Sequence, residues 1–140
     1  MYYYFAYGSN LNHQQMKNIR CIGSKYLKTF FLKDYKLIFC HPNKLNKFGY
    51  ANVVKKRGSK TPGGIWKITK KHEEILDTYE QFPDTYQKKY FYLNGKRIMF
   101  YIMGKYFIKK PPISYINTIT EGYKNCNIDL NYTNRFIYKK

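Results

Sequence analysis

Hydrophobic residues recur along this chain in short runs of the length that β-strands have. About seven such runs are rich in Tyr, Phe, Ile and Val and are bounded by Gly, Pro, Asn or Asp, which is the pattern of strands separated by turns. The predicted strands are residues 2–6, 24–32, 34–40, 50–56, 63–69, 86–93 and 96–103. Between the last two, Asn94-Gly95 is the strongest hairpin signal in the chain.

Helical periodicity is confined to the segments 11–19, about 70–80, and 112–124. The second helix is predicted to be capped by Thr69 and to bury an apolar stripe of Ile75, Leu76 and Tyr79. The third follows Pro111-Pro112, and proline suits a first helical turn. The pattern therefore predicts a β-rich α+β fold, either a strongly curved sheet or a barrel of about six or seven strands, with a few flanking helices.

Length and composition favour one domain over residues 1–140. The 26 Lys and Arg against 8 Asp and Glu give a net charge of +18, which would attract nucleic acid or another polyanion. However, Lys far exceeds Arg, and Asn, Ile, Tyr and Lys are all favoured by AT-rich codons. We therefore expect nucleic acid to be bound non-specifically, if it is bound at all, because Arg is the better reader of phosphates and guanine.

Histidines and cysteines give no sign of a metal or cofactor site. His13, His41 and His72 are scattered without an HExxH motif, and we expect them at the surface. The three cysteines lack a CxxC spacing, so we expect reduced thiols and no metal: Cys21, Cys40 and Cys126. No apolar run reaches the roughly 18 residues of a membrane span. These features favour a soluble, intracellular protein without a metal site.

Chemistry is suggested first by the corner Tyr7-Gly8-Ser9-Asn10, which follows the first predicted strand. Gly8 permits positive φ and a close ligand approach, and Ser9 or Asn10 could cap the following helix. Free N–H groups at such a corner can bind a carboxylate or a developing oxyanion. The alternative is a strand-to-helix turn whose residues serve only the geometry of the chain.

Glu80 is the second candidate, one helical turn after Leu76 and beside the apolar stripe. Partial burial there would raise the pKa of the carboxyl and suit it to proton transfer near neutral pH. The alternative is a solvated glutamate at a helix end.

Several motifs together resemble, in order, the landmarks of the γ-glutamylcyclotransferase family. They are YFAYGSNL at 4–11, Arg20-Cys21, GGIWKIT at 63–69, LDTYE at 76–80 and PPISYINTITEGY at 111–123. The resemblance implies a small mixed β-barrel with flanking helices. It also implies a cytosolic enzyme without metal or cofactor, of the amide-cleaving lyase or acyltransferase type, that cyclises a γ-glutamyl group to 5-oxoproline.

By motif, the resemblance assigns proton transfer to Glu80 and substrate binding to Tyr4, Phe5, Ala6, Tyr7, Gly8, Ser9 and Tyr115. Two departures concern the leaving-group side: Gln81 replaces a common Gly, and the spacing from Glu80 to Tyr86 is one residue shorter than usual. Asn10 stands where the glutathione and γ-glutamylamine branches carry Leu, which favours a γ-glutamyl amino acid as substrate. A homodimer is compatible with the sequence, which does not fix the oligomeric state.

Overall fold

The structure, a computed structural model, describes residues 2–132 and contains a six-stranded sheet. The strands are β1 (Tyr2–Ala6), β2 (Lys25–His41), β3 (Tyr50–Ile68), β4 (Gln87–Leu93), β5 (Lys96–Ile102) and β6 (Phe107–Ile108). They lie in the order β4-β5-β1-β3-β2-β6. β1 is parallel to β5, whereas the other neighbours are antiparallel. The predicted α+β class and the mixed sheet are therefore confirmed.

The sheet is open, so the expected closure into a barrel is not observed. Among the described residues its edges are β4 and β6, which do not pair with each other. β6 contains only Phe107–Ile108, which pair with Cys40 and His41 at the end of β2. Because so short a strand presents few backbone groups to a further partner, the sheet ends there.

Four of the predicted strands join into two long ones. The expected break at Lys33-Asp34 lies inside β2, and the expected loop around Gly58 lies inside β3. Asp34 has a φ of 63°, and its Oδ1 accepts the N–H of Gly58 at 3.0 Å. The pairing register shifts at this point, between Lys33 and Tyr35. The turn-forming residues thus produce a bulge, which bends the paired strands without separating them.

The helices at 70–80 and 112–124 are confirmed as α2 (Lys70–Tyr79) and α3 (Ile113–Asn125). The helix expected at 11–19 is instead divided into three short segments. These are a 3-10 turn (Ser9–Leu11), α1 (His13–Gln15) and a π-helix (Met16–Arg20), and a further 3-10 turn covers Leu130–Tyr132. No helix among residues 2–132 is long and apolar enough to cross a membrane.

β1 lies in the middle of the sheet and is buried on both faces. On one face Tyr4 packs in a cluster with Trp66 of β3 and Leu76 of α2. On the other face Phe5 makes edge-to-face contacts with aromatic rings, including that of Phe100. Trp66 is fully buried in this cluster. Because both faces are covered, the backbone that leaves β1 is held in one place relative to α2.

Two of the histidines expected at the surface are packed instead. His72 is 8% exposed; its Nδ1 accepts the Thr69 N–H at 3.1 Å, and its Nε2 lies 2.8 Å from the Ile22 carbonyl oxygen. The Thr69 hydroxyl accepts the His72 N–H in return, which completes a capping box at the start of α2. His13 is half-buried, with its ring centroid 5.0 Å from that of Trp66. All three cysteines are buried free thiols.

Asn52 is a fully buried amide that joins β3 to the end of β5. Its Nδ2 donates to the Met103 carbonyl and its Oδ1 accepts the Met103 N–H, both at 2.8 Å. Removing one partner of a buried hydrogen bond leaves the other unsatisfied, which is more costly than the net value of the bond. Asn52 therefore holds the strand that carries Ala51 against the strand that carries Tyr101.

We expect Asn52→Ala to lower the free energy of unfolding by about 2–4 kcal/mol, because two buried backbone groups of Met103 lose their partners. Urea unfolding measures the change. Asn117→Ala, at an exposed position of α3, is the matched control and should stay within about 0.5 kcal/mol of the wild type. Equal stabilities of the two variants would contradict this role of Asn52.

Candidate active site

Glu80 lies at the carboxyl end of α2. Its N–H donates to the Leu76 carbonyl at 2.9 Å, so it is the residue at which the helix ends. Leu76 is fully buried, as the predicted stripe requires, and anchors this end of the helix to the core. Tyr79, also expected in the stripe, is 52% exposed, which corrects that assignment. Glu80 itself is half-buried and faces a small pocket.

The pocket lies where β1 leaves the sheet, and it brings together residues that are distant in the sequence. Its cavity volume is about 30 Å³. The lining residues are Tyr4, Tyr7, Gly8, Ser9, Asn10, Ala51, Glu80, Tyr86, Tyr101 and Tyr115. Six of the eight residues proposed from the sequence thus lie on one pocket, whereas Phe5 and Ala6 are not brought to it and pack in the core.

The corner after β1 has a different local geometry from the one expected. Gly8 has a φ of −119°, which is outside the left-handed region. A Cβ at this position would lie 3.0 Å from the Tyr115 Oη and 3.1 Å from the Ala51 Cβ, so glycine is favoured by close packing. The predicted caps Ser9 and Asn10 belong to the 3-10 turn, and it is the Asn12 side chain that caps α1.

Asn10 is buried and connects the corner to the following helical segment. Its Nδ2 donates to the Tyr4 Oη at 3.0 Å. Its Oδ1 accepts from the Gln15 Nε2 at 3.0 Å and from the Arg20 Nη1 at 2.8 Å. Gln15 also donates to the Ser9 Oγ at 3.0 Å. Both groups of the Asn10 amide are therefore satisfied, and the pocket-facing corner is fixed by side chains that sequence reasoning had not assigned to the site.

The pocket is lined by five tyrosines, and three of them donate their hydroxyl protons to other protein groups. Tyr7 donates to the Tyr101 carbonyl at 2.6 Å, and Tyr86 donates to the Ala51 carbonyl at 2.7 Å. Tyr101 donates to the Asp77 Oδ1 at 2.7 Å. Burial raises the pKa of all five hydroxyls above the usual tyrosine value. The tyrosines are therefore neutral polar groups at neutral pH.

Tyr4 and Tyr115 differ from the other tyrosines because their hydroxyls accept hydrogen bonds. Tyr4 accepts from Asn10 at 3.0 Å, and Tyr115 accepts the Ala51 N–H at 3.1 Å. A hydroxyl that accepts still has its own proton to donate. Both residues line the pocket, so each can offer an O–H donor to a bound molecule.

Glu80 is surrounded by these neutral groups, which change the pKa of its carboxyl. Burial raises the pKa of Glu80 to about 7, and the Arg20 guanidinium partly opposes that rise. A carboxyl with this pKa is present in both protonation states near neutral pH, which is the property of an effective general acid and base. The expected desolvation of Glu80 is thus present in the structure.

A charged cluster on the far side of Tyr101 fixes α2 against β4. Lys88 Nζ lies 2.6 Å from the Glu73 Oε2 and 2.9 Å from the Asp77 Oδ1. The Lys88 side chain is only 12% exposed, so these ion pairs are largely shielded from water. Since Asp77 also accepts the Tyr101 hydroxyl, this cluster links the helix that ends at Glu80 to a tyrosine of the pocket.

Gln81 accounts for one departure noted in the sequence. Its φ is 51°, in the left-handed region where glycine is favoured. Thr85 stabilises this turn with two hydrogen bonds, from its N–H to the Gln81 carbonyl and from its hydroxyl to the Gln81 Oε1, both at 2.8 Å. The backbone after Glu80 thus keeps a glycine-like geometry without glycine.

A larger cavity of about 340 Å³ lies elsewhere, lined by residues that include Tyr2, Tyr90 and Arg97. Its carboxylate, Glu73, is already paired with Lys88. The small pocket is therefore the better candidate, because it holds the free carboxyl and the hydroxyl donors. Within residues 2–132, no group of three or more His, Cys, Asp or Glu side chains is placed to hold a metal ion.

Comparisons with known proteins give a matching family and solved structures with a similar fold. Residues 4–122 match the model of the family described as "Gamma-glutamyl cyclotransferase, AIG2-like". A solved structure named "Gamma-glutamyl cyclotransferase" is similar to this chain, with a TM-score of 0.85 and 25% identity over 99% of this chain and 88% of that one. A comparison with curated proteins gives no match.

Two further solved structures share the fold. An uncharacterised protein from Homo sapiens has a TM-score of 0.82 and 24% identity, over 99% of this chain and 88% of its own. YkqA from Bacillus subtilis has a TM-score of 0.78 and 19% identity, over 97% of this chain and 52% of its own.

The raised pKa of Glu80 predicts a pH-dependent cost to stability. Between the usual value of 4.5 and about 7, the native state binds a proton that the unfolded state releases, so stability falls as the pH rises through this window. We expect Glu80→Gln to remove this cost. The free energy of unfolding of Glu80→Gln should equal that of the wild type at about pH 4 and exceed it by about 2–3 kcal/mol above pH 7.

Urea unfolding at pH 4, 6 and 8 measures this difference. Glu74→Gln is the matched control, because it makes the same change at an exposed residue of the same helix. A difference between Glu80→Gln and the wild type that stays constant over the whole range would contradict the burial argument.

Proposed function

Because the chain belongs to the γ-glutamyl cyclotransferase, AIG2-like family, we propose that it converts a γ-glutamyl amino acid to 5-oxoproline and a free amino acid. The proposal depends on one observation: Glu80, whose pKa is raised to about 7 by burial, faces the pocket at the end of α2. Such a carboxyl can accept and return a proton near neutral pH. A structural relative at 25% identity that is named as such an enzyme supports the proposal.

The proposed reaction is an intramolecular acyl transfer. The α-amine nitrogen of the substrate attacks its own γ-carbonyl carbon, the amide bond to the leaving nitrogen breaks, and a five-membered lactam forms. The α-ammonium nitrogen loses two protons in becoming the lactam N–H, and the leaving amide nitrogen gains two in becoming an ammonium, so no proton is released overall. The Glu80 carboxylate accepts protons from the first nitrogen and passes them to the second.

The protein supplies no nucleophile in this scheme, so the rate depends on conformation and proton transfer. Holding the substrate folded places the amine against the carbonyl, which converts an entropic barrier into binding energy. Proton transfer by a positioned carboxyl typically contributes about 10²–10⁴-fold. A buried carboxyl that is ionised for part of the time at neutral pH meets the second requirement.

The negative charge that develops on the γ-carbonyl oxygen needs hydrogen-bond donors. Tyr4 and Tyr115 have O–H protons to donate into the pocket, because their hydroxyls accept from protein groups. The N–H groups of Gly8 and Ser9 at the corner are the alternative donors, and the Ser9 N–H also faces the Tyr115 hydroxyl. One set would stabilise the oxyanion and the other the α-carboxylate of the substrate.

The size of the pocket bears on how a substrate binds. At about 30 Å³ the cavity has room for about two water molecules, well below the roughly 300 Å³ of a typical ligand pocket. A γ-glutamyl group therefore has to widen it. Glu80 and Ser9 are only half-buried, so the pocket is accessible from solvent. Asn10 stands at the corner position where the glutathione and γ-glutamylamine branches of the family carry Leu, and this difference favours a γ-glutamyl amino acid as the substrate.

The test is release of 5-oxoproline from a γ-glutamyl amino acid, a γ-glutamylamine and glutathione. We expect the wild type to act on the first of these. Glu80→Gln should lower kcat by at least about 10²-fold with its fold intact, since the amide cannot carry the proton. Circular dichroism verifies the fold, and Glu74→Gln on the exposed face of α2 should keep full activity. Near-normal turnover by Glu80→Gln would disprove the assignment of Glu80.

The net charge of +18 leaves polyanion binding as a second prediction, for a domain that is catalytically idle. Binding of single-stranded RNA should weaken steeply from about 50 to 200 mM salt, because it releases counterions. Turnover of a small substrate should change far less over the same range. Steep salt dependence of RNA binding, without release of 5-oxoproline from any of the three substrates, would favour the binding function.

A further inference from the structure

Arg20 is the last residue of the π-helix Met16–Arg20. The wider turn is closed by the hydrogen bond from the Cys21 N–H to the Met16 carbonyl, at 2.8 Å. π-Turns occur frequently at functional sites, because the extra residue redirects the side chains that follow. Here the irregular segment brings the guanidinium of Arg20 to Asn10, a residue that lines the pocket.

Two contacts hold the guanidinium in place. Its Nη1 donates to the Asn10 Oδ1 at 2.8 Å, and its Cζ lies 4.3 Å from the centre of the Tyr79 ring. No carboxylate within residues 2–132 lies within 4.0 Å of it, since the ion pairs there involve only Lys88 and Lys124. Arg20 is thus a half-buried cation that is held by an amide and a ring, without a direct counterion.

Except for the Arg20 guanidinium, the surroundings of Glu80 disfavour a negative charge on its carboxyl. Glu80 lies at the carboxyl end of α2, where the helix dipole is negative. The groups that face it are neutral hydroxyls of Tyr4 and Tyr7 from the first strand and corner, Tyr101 from β5, Tyr115 from α3 and Tyr86 from the segment before β4. Asp77, on α2 itself, is already paired with Lys88 of β4.

Arg20 is the charged group whose field favours the ionised carboxylate, and it acts without touching it. The same guanidinium binds the Asn10 oxygen, while the Asn10 nitrogen donates to the Tyr4 hydroxyl. The hydrogen bond from Asn10 is thereby directed to a hydroxyl that can donate to the substrate. Arg20 therefore influences both the carboxyl and a hydroxyl donor of the pocket.

We propose that Arg20 is a positioning residue of this site, which orients Asn10 against Tyr4 and places a positive charge where it favours the Glu80 carboxylate. This proposal rests on the proposed function for its kinetic consequences. The effect on Glu80 itself is independent of any substrate, so it can be measured even if the enzyme acts on none of those tested.

The first experiment follows the carboxyl carbon of Glu80 by ¹³C NMR in glutamate-labelled protein. The chain has only Glu73, Glu74, Glu80 and Glu121, and the spectrum of Glu80→Gln assigns the resonance. We expect Arg20→Gln to raise the titration midpoint of Glu80 by at least about half a unit, because a nearby positive charge is lost. Arg20→Lys should keep most of the wild-type value.

Two further variants make this result decisive. Arg97→Gln removes the same charge from an exposed arginine that lies over Tyr90, outside the pocket, and should leave the midpoint unchanged. Arg20→Met is neutral but retains a flexible apolar stem to cover Tyr79, so it replaces Arg20→Gln if that variant does not fold. A midpoint in either neutral Arg20 variant that equals the wild-type value overturns the proposal.

The second experiment compares pH profiles of kcat/KM for 5-oxoproline release. Arg20→Gln should be about threefold or more below the wild type at pH 6 and should approach it at pH 9, where Glu80 is ionised in both proteins. A rise in KM confined to substrates whose leaving group carries a carboxylate, with an unchanged profile, would show that Arg20 binds substrate and would overturn a positioning role. If the wild type releases no 5-oxoproline, the proposed function fails, and the NMR midpoints still decide the role of Arg20.

Discussion

Desolvation of the Glu80 carboxyl is the interaction on which the site depends. A carboxyl at a helix end is ordinarily solvated, and here three elements remove most of its water. Leu76 fixes the end of α2 in the core, β1 delivers Tyr4 and Tyr7, and α3 delivers Tyr115. The raised pKa follows from this convergence, because the tyrosine rings and hydroxyls around the carboxyl replace water.

The position of β1 in the sheet makes this convergence possible. It pairs with β3 on one side and β5 on the other, so residues from three strands meet where β1 ends. Ala51 of β3 and Tyr101 of β5 contribute to the pocket in this way. Gly8 then lets the chain pass close to Tyr115 and Ala51, where a side chain would have to displace one of them. The same backbone path therefore serves core packing and the shape of the site.

The sequence predicted those parts of the molecule that local patterns encode. Local signals placed the helix cap at Thr69, the buried stripe around Leu76 and the hairpin at Asn94-Gly95. The order of the family motifs then brought Glu80 and the corner at Gly8 into one hypothesis. Asn94 and Gly95 both have positive φ, as a hairpin turn of this kind requires. These features depend on residues that are neighbours in the chain.

Features that depend on distant partners were missed or misjudged. Asp34 and Gly58 look like turn residues in the sequence, but in the structure they face each other across β2 and β3 and form a bulge. Neither segment taken alone shows that the other lies opposite it. Gln15 and Arg20 act through Asn10, and a π-helix has no periodicity by which sequence alone could have placed them. His72 was expected in solvent because the Ile22 carbonyl, 50 residues away in the sequence, meets its ring only in the folded chain.

Lys88 links the edge strand β4 to the helix that carries Glu80. Lysines on an edge strand commonly discourage pairing with another chain. On β4, however, Lys88 is the cation that binds Glu73 and Asp77, which lie about two turns and one turn before Glu80. A substitution at Lys88 would therefore alter the position of the end of α2, although Lys88 does not line the pocket. The hairpin thus supports the pocket from outside it through Lys88, whereas its exposed tyrosines, Tyr90 and Tyr92, take no part in that support.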